Sequence, residues 1–104
     1  MDYVNLHFHK HRNLHDIGKC VPHMILKSGF VISIQASEAH YCTPRDNDGP
    51  YLAVEMMFLK STKIPQVLKP FLASQDEWGV GALFLNVPTA FVNYWIELNG
   101  GPVD

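Results

Sequence analysis

Histidine is concentrated near the start of this chain in an alternating pattern that could bind a metal ion. His7, His9 and His11 are separated by single residues. On a β-strand such residues share one face, so two of the imidazoles could bind one divalent ion such as zinc, with His15 completing the coordination. However, the positive charge of Arg12 disfavours a dication, and an adventitious histidine patch is the simpler interpretation.

A second group of reactive side chains lies in the middle of the chain. His40, Cys42, Asp46 and Asp48 provide an imidazole, a thiol and two carboxylates. They would bind zinc if the backbone brought them together, and His40 with Cys42 could be a base and a nucleophile. Yet enzymes usually draw such a pair from distant parts of the sequence. Ordinary turn chemistry ending at Gly49, with a buried Cys42, explains the same residues.

These residues belong to a polar loop, residues 37–50, whose composition is typical of a binding surface. Its length is one at which a functional role becomes more common than in an ordinary connection. Arg45 follows a proline, so its guanidinium sits on a stiff support and could bind a carboxylate or phosphate at low entropic cost. Local pairing of Arg45 with a neighbouring carboxylate is the alternative. The candidate binding residues are Glu38, His40, Tyr41, Arg45, Asp46, Asp48 and Tyr51.

Composition narrows the class of protein. Of 104 residues, 47% are hydrophobic and 17% are charged, which is typical of a chain with a packed core rather than a disordered one. The net charge of −2 gives no electrostatic signature of nucleic-acid binding. No apolar run reaches the roughly 18 residues that a membrane span needs, and the start lacks a signal-peptide pattern. We therefore expect a cytoplasmic protein, with Cys20 and Cys42 as free thiols.

The hydrophobic pattern predicts an α+β fold with the element order β-β-β-α-β-α. Strands cluster first and helices later, which indicates a small antiparallel or mixed sheet with two short helices packed on one face. In the fourth strand we expect Leu83, Leu85 and Val87 to point inward. The predicted strands span 24–26, 30–36, 51–59 and 82–87, and the helices begin near Pro65 and at Pro88 or Thr89.

The first 23 residues differ from the rest, and two interpretations of them stay open. Five of the six histidines lie there, and the periodicity is poor. Residues 1–23 could be a His-rich extension outside a single compact domain at 24–104, with Met24 marking the boundary. Alternatively, residues 3–9 could be a genuine first strand.

Three short segments in the middle of the chain form a pattern that is found in other proteins. Gln35-Ala36-Ser37, then His40-Tyr41-Cys42-Thr43-Pro44-Arg45, then Gly49-Pro50-Tyr51, is similar to a family of short uncharacterised proteins of bacteriophages and prophages. The similarity covers about residues 26–101 and departs from the family pattern at Met56-Met57-Phe58, where Gly-Phe-Pro is expected. Small accessory proteins of phages are often non-enzymatic inhibitors of host machinery or of defence systems, CRISPR included. The resemblance therefore implies such an inhibitor.

Two functions from different classes follow. The first is a non-enzymatic accessory protein that binds and inhibits a host protein, or sequesters a small ligand, through the 37–50 loop. The alternative is a small metal-binding or thiol-dependent enzyme that uses His40 and Cys42 of the same loop. Phosphate-loop, dinucleotide-binding and hydrolase motifs are missing from the sequence, which favours the first. The small core and the apolar residues Met57, Leu59, Phe84 and Tyr94 further predict a homodimer.

Overall fold

A five-stranded antiparallel sheet organises the chain, in the order β1-β2-β3-β5-β4. The computed structural model describes residues 1–11, 20–59, 65–74 and 82–103. The sheet, together with two α-helices, confirms the predicted α+β class. The elements are α1 (Tyr3–His11), β1 (Met24–Ile25), β2 (Val31–Gln35), β3 (Ala53–Phe58), a 3₁₀ helix (Gln66–Phe71), β4 (Leu72–Ser74), β5 (Leu83–Pro88) and α2 (Thr89–Leu98).

The first three strands follow the alternation of the sequence. Gly29, at φ +104°, makes the turn between β1 and β2, a conformation that favours glycine. In β2 the side chains of Ile32 and Ile34 are fully buried, and in β3 those of Val54, Met56 and Phe58 are buried. β3 is an inner strand, and it pairs antiparallel with β2.

The inward face of β5 was predicted incorrectly. Phe84 is fully buried, whereas Leu83 and Leu85 are only half-buried, so Phe84 is also not spare apolar surface. Beyond Phe84 the alternation breaks at the exposed Asn86, whose φ of +50° lies in the left-handed region. Val87 then returns to the core, as predicted. A single residue with left-handed backbone, Asn86, thus breaks the alternation on which the prediction of the inward face of β5 depended.

The helix predicted near Pro65 is present, and it is short. It is a 3₁₀ helix that contains Pro70 and buries Leu68. Leu72 follows it directly, begins β4 and pairs with Phe84 of β5.

Helix α2 confirms its prediction. Val92, Trp95 and Ile96 are buried, and the helix gives way to Gly100, at φ +85°. The indole of Trp95 packs on Phe30 and Phe58 of the sheet, with ring centroids 5.2 and 5.6 Å apart. This aromatic contact holds α2 on the sheet face that bears the core.

Residues 3–11 form a helix, so the predicted strand at 3–9 is wrong. Asp2 caps the helix, because its Oδ1 accepts the backbone N–H of Asn5 at 3.1 Å. Val4 and Phe8, one turn apart, are buried in the same core as the sheet. Residues 3–11 therefore contribute to the core. Whether residues 24–104 fold without them stays a prediction.

The C-terminal residues lie along β1 on the side away from β2. Lys27 N donates to Gly101 O, and Val103 N donates to Ile25 O, each at 2.9 Å. Leu26 and Pro102 form an antiparallel bridge between these contacts. None of the helices in the described residues is long and apolar enough to cross a membrane.

Candidate functional site

The 37–50 loop is held against the sheet by hydrogen bonds of the Tyr41 and Thr43 backbone. Thr43 N donates to Ala53 O at 3.0 Å, and Leu52 N donates to Thr43 O at 2.7 Å. Tyr41 N donates to the Glu55 carboxylate at 3.1 Å, and Tyr41 O accepts Asn86 N from β5. The loop is therefore a supported structure, as a binding surface of low entropic cost requires.

Residues 46–48 form an acidic turn that is stabilised by hydrogen bonds within the loop. Asp46 Oδ1 accepts the backbone N–H groups of Asp48 and Gly49, at 3.1 and 2.9 Å. Glu38 N donates to the Asn47 side chain at 3.1 Å. These contacts are the ordinary turn chemistry that was one of the sequence interpretations. The carboxylates of Glu38 and Asp48 lie on exposed residues.

His40 and Cys42 both use Ser37 as a partner. His40 Nδ1 lies 2.6 Å from Ser37 Oγ, whereas the Cys42 thiol lies 3.2 Å from Ser37 O and 3.3 Å from Pro44 O. Ser37 is fully buried, and Cys42 is 3% exposed. The imidazole of His40 therefore contacts the Ser37 hydroxyl, and the Cys42 thiol contacts backbone carbonyl oxygens. A base that activates a thiol would contact the thiol itself, so these contacts fit a structural role in the loop.

The environment of Cys42 also disfavours its thiolate. Burial raises the pKa of the Cys42 thiol above its usual 9.0. A hydrogen bond with the Ser37 backbone and the charge of Arg45 act in the opposite direction, but burial outweighs them. Because the thiolate is the nucleophile, a buried thiol with a raised pKa is poorly suited to covalent catalysis.

Arg45 and Tyr41 come together on the outer side of the loop. The guanidinium carbon of Arg45 lies 5.0 Å from the centroid of the Tyr41 ring. Both residues are exposed, with 52% of Tyr41 accessible. This cation–π contact places the guanidinium of an exposed arginine beside an exposed ring. The structure thus joins two of the predicted binding residues in one surface feature.

Tyr51, the last of the predicted binding residues, lies beneath that surface. It is 2% exposed, and its ring packs edge-on against Phe8 with centroids 5.1 Å apart. Its hydroxyl donates to Asp46 O at 2.8 Å, beneath the turn. A Cβ added to Gly49 would come within 3.0 Å of the Tyr51 ring. Tyr51 is a core residue that supports the loop from inside.

Neither predicted zinc set is assembled in the part of the chain that the structure describes, where no three His, Cys, Asp or Glu side chains could hold a metal ion. The strand-based argument for the N-terminal histidines fails because α1 is a helix. One turn of helix brings His7 and His11 together, with ring centroids 4.6 Å apart, and leaves His9 on another face. His15 lies outside the described residues.

A pocket of about 550 Å³ lies between α1, β1 and the C-terminal segment, and sequence reasoning missed it. Its lining includes Tyr3, Leu6, His7, Lys10, His11, Pro22, His23, Met24, Ile25, Lys27, Gly101 and Pro102. His7 Nε2 lies 2.8 Å from Pro22 O, which ties α1 to the segment before β1. Tyr3 donates a hydrogen bond to Glu97, and that bond raises the pKa of Tyr3.

One sequence signal could have revealed the pocket. Asp2 three residues before Asn5, followed by Val4 and Phe8 at a spacing of four, is a helical pattern with a cap. The alternating histidines concealed it, because they suggested a period of two. A helix at 3–11 would have predicted that His7 and His11 share a face.

Comparison with known proteins assigns no family to this chain. The chain matches no family model, no curated protein and no solved structure.

Proposed function

We propose that this protein is a non-enzymatic binding protein that inhibits a host protein by covering part of its surface. The observation that carries the proposal is the exposed Arg45–Tyr41 pair on the supported 37–50 loop. In keeping with the phage-family resemblance, the host protein is a bacterial defence or processing component, CRISPR machinery included, met in the host cytoplasm.

The chemistry of the pair defines the partner's surface. Stacking on Tyr41 orients the Arg45 guanidinium, so that little side-chain entropy is left to lose on binding. A guanidinium in that position binds a carboxylate through two parallel hydrogen bonds, and the tyrosine ring adds apolar contact area. Arginine and tyrosine are residue types that dominate binding energy at interfaces. We therefore propose an acidic, partly apolar patch on the partner.

Affinity capture with matched variants tests this function. The full chain, Arg45→Ala and Lys69→Ala are immobilised and exposed to bacterial lysate, and retained proteins are quantified by mass spectrometry. Lys69 is an exposed cation outside the loop, so its variant loses the same charge elsewhere. We expect at least one protein to be retained by the parent and Lys69→Ala but at least tenfold less by Arg45→Ala, which is about 1.4 kcal/mol.

The stability of each variant separates recognition from folding. Arg45→Ala is expected to melt within a few degrees of the parent, because substitutions of exposed residues usually change stability little. Equal retention by all three proteins would remove Arg45 from the interface. Turnover of a substrate by the parent, lost on substituting His40 or Cys42, would favour the enzyme alternative instead.

Self-association is a second part of the proposal. Tyr94 is 64% exposed and Leu98 is 66% exposed on the outer side of α2, while Met57 of β3 is half-buried. We propose that these side chains contribute to a homodimer at micromolar concentration. Light scattering should then give twice the monomer mass, and Tyr94→Asp should return it to one monomer. A strict monomer at high concentration would eliminate the dimer.

A further inference from the structure

The pocket between α1, β1 and the C-terminal segment has the dimensions of a ligand site. Its volume of about 550 Å³ falls among the pockets of roughly 300–1,000 Å³ that hold small organic molecules. Helix α1 contributes one wall, and the residues around β1 and Gly100–Pro102 contribute the other. It shares no lining residue with the 37–50 loop, so what it binds is independent of the proposed partner.

The charged groups of the lining are cationic. Lys10 belongs to α1 and Lys27 to the turn after β1, and three imidazoles join them. Among the described residues that line the pocket there is no aspartate or glutamate. Glu97 lies outside this lining and accepts a hydrogen bond from the hydroxyl of Tyr3. A lining of this composition attracts an anion, because lysine binds carboxylate or phosphate as a point charge.

The backbone holds Lys27 at the pocket. Lys27 N donates to Gly101 O at 2.9 Å, and the first carbons of the Lys27 side chain lie against Gly100. A Cβ at Gly100 would come within 3.1 Å of Lys27 Cβ, and φ there is +85°. The glycine therefore lets the chain pass close beneath the lysine stem. This contact fixes the root of a side chain whose ammonium is exposed.

Apolar side chains supply the rest of the lining. Leu6 is 53% exposed and Ile25 is 47% exposed, and both face the pocket beside Met24 and Pro102. A ligand with an aliphatic body would cover Leu6 and Ile25, and removing such surface from water is favourable. A small inorganic anion would leave them exposed. The combination of cations and aliphatic walls selects an amphipathic anion.

The imidazoles do not favour a metal ion in this pocket. His7 Nε2 is 2.8 Å from the Pro22 carbonyl oxygen, so that nitrogen carries the hydrogen and donates it. A donating nitrogen is not available as a metal ligand. The described lining also provides no group of three side chains able to hold a metal.

We propose that this pocket binds a small organic anion with an aliphatic body and a carboxylate or phosphate head. The head lies near Lys27, and the body lies against Leu6 and Ile25. The protein thus has a small-molecule site on the side formed by its N- and C-terminal segments, separate from the loop that carries Arg45.

Calorimetric titration with octanoate tests the site. Octanamide has the same body with a neutral head, and octyl phosphate carries the other anionic head. We expect saturable 1:1 binding of octanoate, at least tenfold weaker binding of octanamide, and NMR shifts confined to amides of α1 and of residues 22–27 and 100–102. Tighter binding of octyl phosphate would support the same site and assign a phosphate ligand. Equal affinity for octanoate and octanamide would overturn the anionic selectivity.

Matched variants locate the binding. Lys27→Ala should weaken octanoate at least tenfold, whereas Lys69→Ala, which removes the same charge outside the pocket, should bind like the parent. Leu6→Trp, at an exposed helix position, should fill the pocket and reduce binding without unfolding the protein. The proposal fails if octanoate does not bind, or if a folded Lys27→Glu variant binds it as the parent does.

Discussion

The side-chain amide of Asn5 pairs in both directions with the backbone of Tyr51, across 46 residues of sequence. Asn5 Nδ2 donates to Tyr51 O at 3.1 Å, and Tyr51 N donates to Asn5 Oδ1 at 2.7 Å. The amide therefore satisfies both polar groups of one residue, as a neighbouring strand would. It joins α1, a wall of the pocket, to the residue that supports the 37–50 loop from inside.

Removing the Asn5 amide should destabilise the protein. Asn5→Ala leaves the N–H and C=O of Tyr51 without these partners, at a cost of about 1–3 kcal/mol in the free energy of unfolding. Asn5→Asp keeps the acceptor but places a carboxylate oxygen beside Tyr51 O, so it should lose a similar amount. Urea denaturation measures both. His9→Ala, an exposed position on α1, is the control and should change little.

Acid should weaken the start of α1 through Asp2. Burial raises the pKa of Asp2, but hydrogen bonds from Asn5 and Asn93 together hold it below its ordinary 3.8. A lowered folded-state pKa gives stability that is present above 3.8 and lost as pH falls through the folded value. Asp2→Asn, which keeps a capping side chain, should therefore show a shallower loss of stability in acid. An unchanged acid profile would contradict this role.

The two thiols should react at different rates. Cys20 is exposed and Cys42 is buried, with its pKa raised by burial. In native protein at neutral pH we expect a disulfide reagent to modify one thiol rapidly, and none in Cys20→Ser. Modification of Cys42 should require urea. Rapid labelling of Cys42 would instead support the thiol-enzyme alternative.

Alkali should reveal the same buried thiol. A folded pKa raised above 9.0 means that the stability contributed by the neutral Cys42 is complete below pH 9 and declines as pH rises through the folded value. Cys42→Ala should therefore lose less stability between pH 9 and 11 than the parent does. Cys20→Ser is the matched control and should retain the parent's slope.

A chain that begins at Met24 should not fold cooperatively. It lacks Val4 and Phe8 of the core, together with the Asn5 contacts to Tyr51. Truncating a buried phenylalanine alone costs about 3–5 kcal/mol, and whole domains are stable by only about 5–15 kcal/mol. Phe8→Ala is the milder test and should lose several kcal/mol. If the shortened chain unfolds at the same urea concentration as the parent, residues 1–23 are an extension after all.

Much of the sheet could be predicted because its signals are local. Ile32 and Ile34 alternate with more polar neighbours, and a glycine marks the turn before them, so β2 follows from period two alone. Helix α2 follows from Val92, Trp95 and Ile96 with glycine after its end. In each case the residues that define the element also bury its face, so pattern and packing agree.

The errors arise where a distant contact decides the outcome. Asn86 adopts a left-handed φ and its N–H donates to Tyr41 O of the loop, which no neighbouring residue indicates. Tyr41 and Tyr51 are both tyrosines near the loop, yet Tyr51 is buried in the core and Tyr41 is exposed on the surface. The pocket required knowing that the two ends of the chain meet. The pairing of Arg45 with Tyr41, rather than with a carboxylate, also depends on folding of the whole loop.

The C-terminal contacts along β1 have a further consequence for solubility. An outer strand with open backbone groups is a template on which another molecule can add its own strand, and this is how sheets grow into aggregates. Here Gly101 O and Val103 N occupy those positions on β1. Residues 101–103 thus cover this edge of the sheet. The strand at the opposite edge, β4, has only three residues. Loss of Pro102 and Val103 would leave the backbone of β1 open to pairing with another molecule.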